Sequence, residues 1–414
     1  LSRVPAALRS PRVRRILVAF TVNRLGTFIG IVALLAVVYD RTGSAVAVSA
    51  LLLAWQALPA FAVPALVARL EASRHGRELT ALYLFEAVTT AALAVMVSHF
   101  WLPAVLVLAA LDGTAALAAN ALLRAGLARA AAESSAQERS EELEQEANAA
   151  LNIAFSITFV AGPAVGGAIV AAAGAPAALV VDVGSFLICG LALLDLRTHV
   201  EEAGGDTVRA RLRAARTYVQ RQASLRTLLL VYAVALALFE TAAPIEVAFA
   251  KSTLAAGSQG LGLLLTAWGG GAVLGSLVFA RIPKRSLALM LSAGTLAIGL
   301  ADGGFAVAPD LALGCVAAVV GGVGNGIELP ALMGLVQQLA PSSMHGRLIG
   351  AVESLTALSL AFGLALGGVL VAALSVRTAF AVVAVATVAT AALLLRLARV
   401  ARSQTTIEVA VAEQ

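Results

Sequence analysis

The 414-residue chain is 60% hydrophobic and 13% charged, with a mean hydropathy of +0.93, whereas a soluble domain is roughly 45–50% apolar and ~25% charged. Its formal net charge is +5. Apolar runs of roughly 20 residues, the length that crosses a bilayer, recur along the whole sequence and exclude a soluble fold.

The basic start, Leu1 to Arg15, leads into an apolar run longer than a signal-peptide core and followed by no small-residue cleavage site, so it reads as a retained first transmembrane helix. Twelve segments qualify as spans: Ile16–Tyr39, Ser44–Val67, Leu79–Trp101, Ala104–Ala128, Ala149–Ala173, Ala177–Leu196, Leu228–Ala250, Gly260–Phe279, Leu287–Val307, Leu311–Leu335, Leu348–Leu374 and Thr378–Leu397. Loop charges test this count independently, because Lys and Arg mark the cytoplasmic side. With both termini inside, cytoplasmic segments together with the adjoining span ends hold 25 of the 29 Lys and Arg. Arg41, Lys251 and Arg377 fall outside, and Arg24 lies within the first helix. The external loops are short, which leaves no room for an extracellular domain. Cys189 and Cys315 sit inside apolar runs and read as small packing residues.

The chain also matches itself. Ala68, Leu70, Arg74 and Arg77 after helix 2 correspond to Gly275, Leu277, Arg281 and Lys284 after helix 8. Gly162, Gly166, Gly167, Val170, Ala171 and Ala172 of helix 5 recur as Gly363, Gly367, Gly368, Val371, Ala372 and Ala373 of helix 11. Both matches join helices six apart, so the sequence reads as an all-α membrane protein of two pseudo-symmetric six-helix bundles. Residues 1–196 form the first bundle and 228–402 the second. Between them lies a cytoplasmic linker, 197–227, with an amphipathic helix over Val208 to Arg226; residues 403–414 read as a mobile polar tail. Glu133 to Glu146 reads as an acidic, solvated extension of a cytoplasmic helix end.

The stretch VAGPAVGGAIVAAAGAPAALVVDVGSFLICGLALLDL, from Val160 to Leu196, resembles helices 5 and 6 of the drug:proton antiporter branch of the major facilitator superfamily, close to its macrolide-efflux and enterobactin-exporter-like group. Gly162, Pro163, Gly166 and Gly167 match that branch's antiporter motif. The resemblance implies the major facilitator fold, alternating access, a substrate cavity near the membrane midplane and a location in the cytoplasmic membrane. It also implies gating loops, here Glu71, Arg74 and Arg77 after helix 2 with Arg281 and Lys284 after helix 8. Two departures stand out. The loop's usual aspartate is replaced by Ala72, so either Glu71 substitutes for it or the gate's charge lock is weakened, and Thr27 occupies the place of an acid that is common early in helix 1.

An ionised side chain inside a bilayer costs about 2.5–3.5 kcal/mol on insertion scales, so each intramembrane charge is a candidate for function. These are Arg24, Glu86, Asp112, Asp182, Glu240, Glu246 and Glu328. Arg24 and Asp112 fall near the midplane of cavity-lining helices and are expected to pair, either as a structural ion pair or as part of a proton or substrate site; Asn23 and Asn120 add hydrogen-bonding groups to the same wall. Glu240, mid-helix with no basic neighbour in its helix, is the first choice for binding and releasing a proton. Glu328 is the second: it follows Gly321-Gly322-Val323-Gly324-Asn325-Gly326 and precedes Pro330, a stretch expected to loosen helix 10. A silent, hydrogen-bonded role remains open for each acid. Asp182 reads as a structural hydrogen-bonding group, while Glu86 and Glu246 are expected to snorkel toward interfacial water.

Nothing in the sequence assembles a catalytic set, a metal site, a cofactor site or a nucleic-acid surface. Gly269-Gly270-Gly271 follows no strand and lacks the Lys-Ser/Thr of a phosphate cradle. The expected partners are a small-molecule substrate, protons and the lipid bilayer, with a monomer as the unit. The leading expectation is proton-driven efflux of small apolar or amphipathic compounds. Transport of a specific metabolite such as a siderophore or sugar is the alternative within the class, and a non-transporting receptor or assembly factor the alternative outside it.

Overall fold

A computed structural model describes residues 6–71, 77–132, 140–194, 196, 217–282, 286–340 and 342–412. Among the described residues, twelve helices are long and apolar enough to cross a membrane. They are α1 (Pro11–Thr42); α2 (Ala45–Leu52 and Leu58–Glu71, joined by the π-helical turn Leu53–Ala57); α3 (Glu78–Ser98); α4 (Leu102–Ala132); α5 (Ser140–Ala173); and α6 (Ala175–Ala192). The second set is α7 (Ala223–Ala248, running on through the π-helical turn Phe249–Thr253), α8 (Gly257–Arg281), α9 (Leu287–Val307), α10 (Leu311–Leu339), α11 (Ser342–Ala373) and α12 (Val376–Ala412). The tail expected beyond Arg402 continues α12 as far as Ala412. Arg74, Lys284, residues 133–139 of the acidic stretch and residues 197–216 of the linker lie outside the described residues.

Local chemistry starts and stops these helices. Pro11 opens α1, where a missing N–H costs nothing, and Gly43 closes it in the left-handed conformation (φ 61°) with its N–H on the Tyr39 carbonyl at 2.7 Å. Ser44, Ser286 and Asp310 cap α2, α9 and α10 by accepting the backbone N–H three residues on. α5 and α6 are separated by Gly174 alone (φ 82°). Many apolar side chains, Val88, Val107, Leu191 and Val385 among them, remain exposed, as a bilayer-facing surface requires.

The chain separates into two compact units, Leu1–Ala203 with Ala255–Thr266, and Gly204–Leu254 with Ala267–Gln414. In the first, α5 meets α1 through glycine: a Cβ on Gly162 would strike Phe28, and one on Gly166 would lie 2.9 Å from the Ile29 Cα. Gly167 abuts Ser258 and Gly262 in the first turns of α8, and Thr266 Oγ1 donates to the Val160 carbonyl at 2.9 Å. The second unit repeats the theme at the matching positions. A Cβ on Gly363 of α11 would strike the Ala237 carbonyl of α7, and one on Gly367 the Thr241 carbonyl. Glycines related in sequence therefore make related contacts, α5 on α1 and α11 on α7.

The glycine-rich stretch of α10 leaves the helix unbroken from Leu311 to Leu339. The glycines are consumed by packing on both sides: Gly322 and Gly326 press on the carbonyls of Trp268 and Ala272 in α8, and Gly324 on the Gly294 carbonyl of α9. Pro330 has no N–H to offer the Gly326 carbonyl, and Ser276 Oγ of α8 donates to that oxygen instead, at 3.3 Å.

Candidate functional site

In the first unit three buried carboxyls converge from α3, α4 and α6. Asp112 of α4 is held from two other helices. Its Oδ1 accepts from Thr89 Oγ1 (2.9 Å) and Thr90 Oγ1 (3.0 Å) of α3, and its Oδ2 accepts from Trp55 Nε1 (3.3 Å) in the π turn of α2. The neighbouring Gly113 lets the Trp55 carbonyl come into contact with α4. Asp182 of α6 accepts from Ser185 Oγ (3.3 Å) and fills a notch in α1 made by Gly26 and Gly30. Glu86 of α3 is 1% exposed, its Oε1 has no partner, and it lies within electrostatic reach of Asp112, Asp182 and Arg24.

The expected Arg24–Asp112 ion pair does not form. Asp112 is already supplied by two hydroxyls and an indole, while the Arg24 guanidinium sits 5.4 Å from the Phe20 ring and within reach of Tyr83 and Glu86. Buried polar atoms nevertheless gather on α1 and α4. Asn23 Nδ2, Arg24 Nε and Asn120 Oδ1 all lack a hydrogen-bond partner, and such orphans call for water or a ligand. Nor does Glu86 snorkel, because its place inside the α3–α6 packing gives its stem no route to the surface.

The notch predicts a specific coupling. Gly30→Ala places a methyl against the Asp182 carboxyl and should destabilise the protein, by about 1–3 kcal/mol for an overpacked contact. Asp182→Ala in the same chain should recover most of that loss in a thermal melt of purified protein, and simple additivity of the two effects would count against the contact.

In the second unit, Glu328 of α10 is 4% exposed and accepts from Thr295 Oγ1 of α9 at 2.6 Å. Glu240 of α7 is half-buried and has no hydrogen-bond partner or ion pair among the described residues. Tyr232, two turns earlier on α7, lies within electrostatic reach of both acids. One turn from Glu240, α7 and α11 line an open apolar cleft of about 340 Å³, with Ala233, Val234, Ala237, Leu358, Ser359 and Phe362 among its walls. Ser359 Oγ is occupied by the Ala233 carbonyl at 3.0 Å, so the cleft offers almost no free polar group. Removing the Thr295 hydroxyl should strand a buried oxygen of Glu328. Thr295→Val is expected to cost about 1–3 kcal/mol and Thr295→Ser much less, as read from the midpoint of thermal unfolding.

Two further acids, Glu246 of α7 and Asp302 of α9, are buried together in the second unit. Glu246 was expected near interfacial water; it is 9% exposed with an unpartnered Oε1. Asp302 is missed by the sequence reading, although the rule that flags every intramembrane charge applies to it. Its setting, Asp302-Gly303-Gly304 near the end of a span, mimics a turn. Of the gating residues, Glu71 ends α2, Arg77 precedes α3 and Arg281 ends α8.

The antiporter-motif residues have a structural place: Gly162 and Gly166 receive α1, and Pro163 lends its carbonyl to the close approach of Gly262. Among the described residues no group of His, Cys, Asp and Glu is arranged to hold a metal ion.

Comparison with known proteins agrees with this architecture. The structure resembles the nucleoside transporter NupG (TM-score 0.72, 11% identity, 94% of this chain and 99% of that one). It also resembles the POT family transporter PepTSo (TM-score 0.69, 9% identity, 97% and 99%) and a bacterial metal transporter (TM-score 0.66, 14% identity, 94% and 98%). At these identities the likeness is one of fold. In sequence, the chain is 27% identical over 233 residues to the uncharacterized MFS-type transporter YfiS of Bacillus subtilis, a match that spans 53% of this chain and 56% of that protein, little more than half of either. The family model described as transmembrane secretion effector matches residues 4–411. The chain therefore belongs to the transmembrane secretion effector family of the major facilitator superfamily (MFS), and is a multi-pass membrane protein of the transporter kind.

Proposed function

We propose that the protein exports small apolar or amphipathic molecules across the cytoplasmic membrane in exchange for protons, by alternating access. One observation carries this reading: Glu240, an intramembrane carboxyl with no hydrogen-bond or ion-pair partner among the described residues, stands one turn from Ala237 in the wall of an apolar cleft. A carboxyl kept at that depth is expensive unless it is used, and a neighbouring apolar surface recognises a greasy ligand without fixing its polar groups. Gly363 of α11 approaches both the Ala237 carbonyl and the Glu240 Cβ (2.8 Å), so movement of α11 is transmitted to the acid and the cleft together. Proton and ligand then compete, or alternate, through one pair of helices.

Inverted membrane vesicles carrying the protein test this reading. After a proton gradient is imposed, lipophilic amines and neutral amphiphiles from a broad panel should dissipate it faster than in vesicles without the protein. A flat response across the panel, with dissipation by a siderophore or a sugar instead, would replace drug-like export by transport of a specific metabolite. No response to any solute would favour a non-transporting role.

A further inference from the structure

Asp112 lies where α2, α3 and α4 of the first unit meet, and its surroundings hold more acceptors than hydrogens. Thr89 of α3 is the reason. Its Oγ1 stands 2.9 Å from Asp112 Oδ1, 3.0 Å from the Glu86 carbonyl and 3.1 Å from the Phe85 carbonyl, each in hydrogen-bonding geometry. A hydroxyl has one hydrogen to give and two lone pairs that accept, so Thr89 serves one of these oxygens at a time. Thr90 differs, because among the described residues its hydroxyl has a single acceptor, Asp112 Oδ1 at 3.0 Å. Trp55 Nε1 can only donate, and it does so to Oδ2 at 3.3 Å. Asp112, Thr89 and Thr90 are all buried.

Two arrangements of hydrogens satisfy these groups, and they differ by one proton. With Asp112 ionised, Thr89, Thr90 and Trp55 all donate to the carboxylate, while the two α3 carbonyls keep the N–H groups of their own helix. With Asp112 protonated on Oδ1, the carboxyl O–H donates to Thr89 Oγ1, and Thr89 turns its hydrogen to the Phe85 or Glu86 carbonyl. Thr90 and Trp55 go on donating as before. The proton comes from water and returns to it, and Thr89 keeps its own hydrogen throughout. Neither state strands a buried polar atom of the set, and only one hydroxyl has to rotate. A carboxylate held for structure alone requires donors; Thr89 adds an acceptor for a carboxyl hydrogen.

The titratable and charged groups at mid-span on the surrounding helices are Tyr83 and Glu86 on α3, Arg24 on α1, and Asp182 and Cys189 on α6, with Arg124 three turns along α4. α2 and α5 carry theirs only near one end. Among the described residues none of these groups bonds to the Asp112 carboxyl, so no cation fixes its charge.

We propose that Asp112, Thr89 and Trp55 form a proton-binding site in the first unit, in which the Thr89 hydroxyl turns to accept the carboxyl hydrogen when a proton binds. Trp55 reports the binding. It sits in the π turn of α2, where Pro59 has no N–H for the Trp55 carbonyl and that carbonyl packs against Gly113, beside the acid. Indole and carbonyl together tie the turn to residues 112 and 113, and a proton on Asp112 changes the indole bond from charge-assisted to neutral. Glu240 belongs to the other unit and the site is measured without substrate, so it does not depend on the export reading.

The test is ultraviolet resonance Raman and infrared difference spectroscopy of the purified full chain in lipid, titrated from acid to alkaline pH. In the parent minus Trp55→Phe Raman spectrum, the hydrogen-bond-sensitive indole band should shift on acidification as a one-proton transition. The parent minus Asp112→Asn infrared spectrum should gain a protonated-carboxyl C=O band with the same midpoint, and Asp112→Asn should abolish the indole shift. Thr89→Val should move the C=O band and Thr89→Ser should leave it in place, a contrast that needs the hydroxyl. An indole band that stays still wherever the protein is folded would overturn the proposal. So would an indole shift that survives in Asp112→Asn, which would give the proton to Glu86 or Asp182. Should Asp112→Asn not fold, the indole band of the parent decides alone, since Asp112 is the acceptor of the Trp55 N–H.

Discussion

Glu240→Gln is expected to reduce substrate-driven proton movement to the background of protein-free vesicles while leaving the protein folded. The glutamine keeps the shape and polarity of the side chain but cannot carry a proton, so only coupling is removed. Glu240 has no described hydrogen bond or ion pair to lose, which makes a merely structural penalty small. Downhill movement of substrate should persist in the variant and lose its dependence on pH, a split that a folding defect would not produce. Exposed Glu353 of α11 provides the control, and Glu353→Gln should behave as the parent. Equal proton movement in Glu240→Gln and the parent would remove Glu240 from the mechanism, and Glu328, already bonded to Thr295, would become the next candidate.

A second large effect is expected from two adjacent glycines of α8. A Cβ on Gly271 would drive into the Val319 carbonyl of α10 and lie 3.0 Å from the Gly322 Cα, whereas one on Gly270 meets nothing within 4 Å. Backbone atoms of a continuous helix cannot step aside as a side chain can. Gly271→Ala should therefore destabilise the second unit by about 3 kcal/mol, at the upper end of overpacking costs, and lower the yield of monodisperse protein. Gly270→Ala should be neutral or stabilise by about 0.5–1 kcal/mol, because alanine gives up less backbone freedom in a helix. Thermal unfolding in detergent reads both, and similar melting points for the two variants would refute the packing described for α8 and α10.

Hydropathy made the number and order of the spans legible, because a bilayer imposes length and apolarity on each helix regardless of its partners. The repeat was legible for a different reason. Gly162, Gly166, Gly363 and Gly367 sit where one backbone touches another, and no other residue fits such a contact. What could not be read was rotation about each helix axis. Arg24 and Asp112 share a depth, which sequence gives, but Asp112 faces Trp55, Thr89 and Thr90, which sequence does not give. The same blindness put Glu86 and Glu246 at the interface on depth alone, when neighbouring helices bury both. In α10 the glycines carried two signals at once, flexibility and small size; only the partners in α8 and α9 decide that size was the one in use.

The central claim, exchange of substrate for protons, is tested most directly with purified protein in liposomes enclosing a pH-sensitive dye and no other energy source. An imposed gradient of a transported compound should drive protons in the opposite direction, with an initial rate that scales with the gradient and disappears in Glu240→Gln. Movement of the compound without any proton flux would contradict the account.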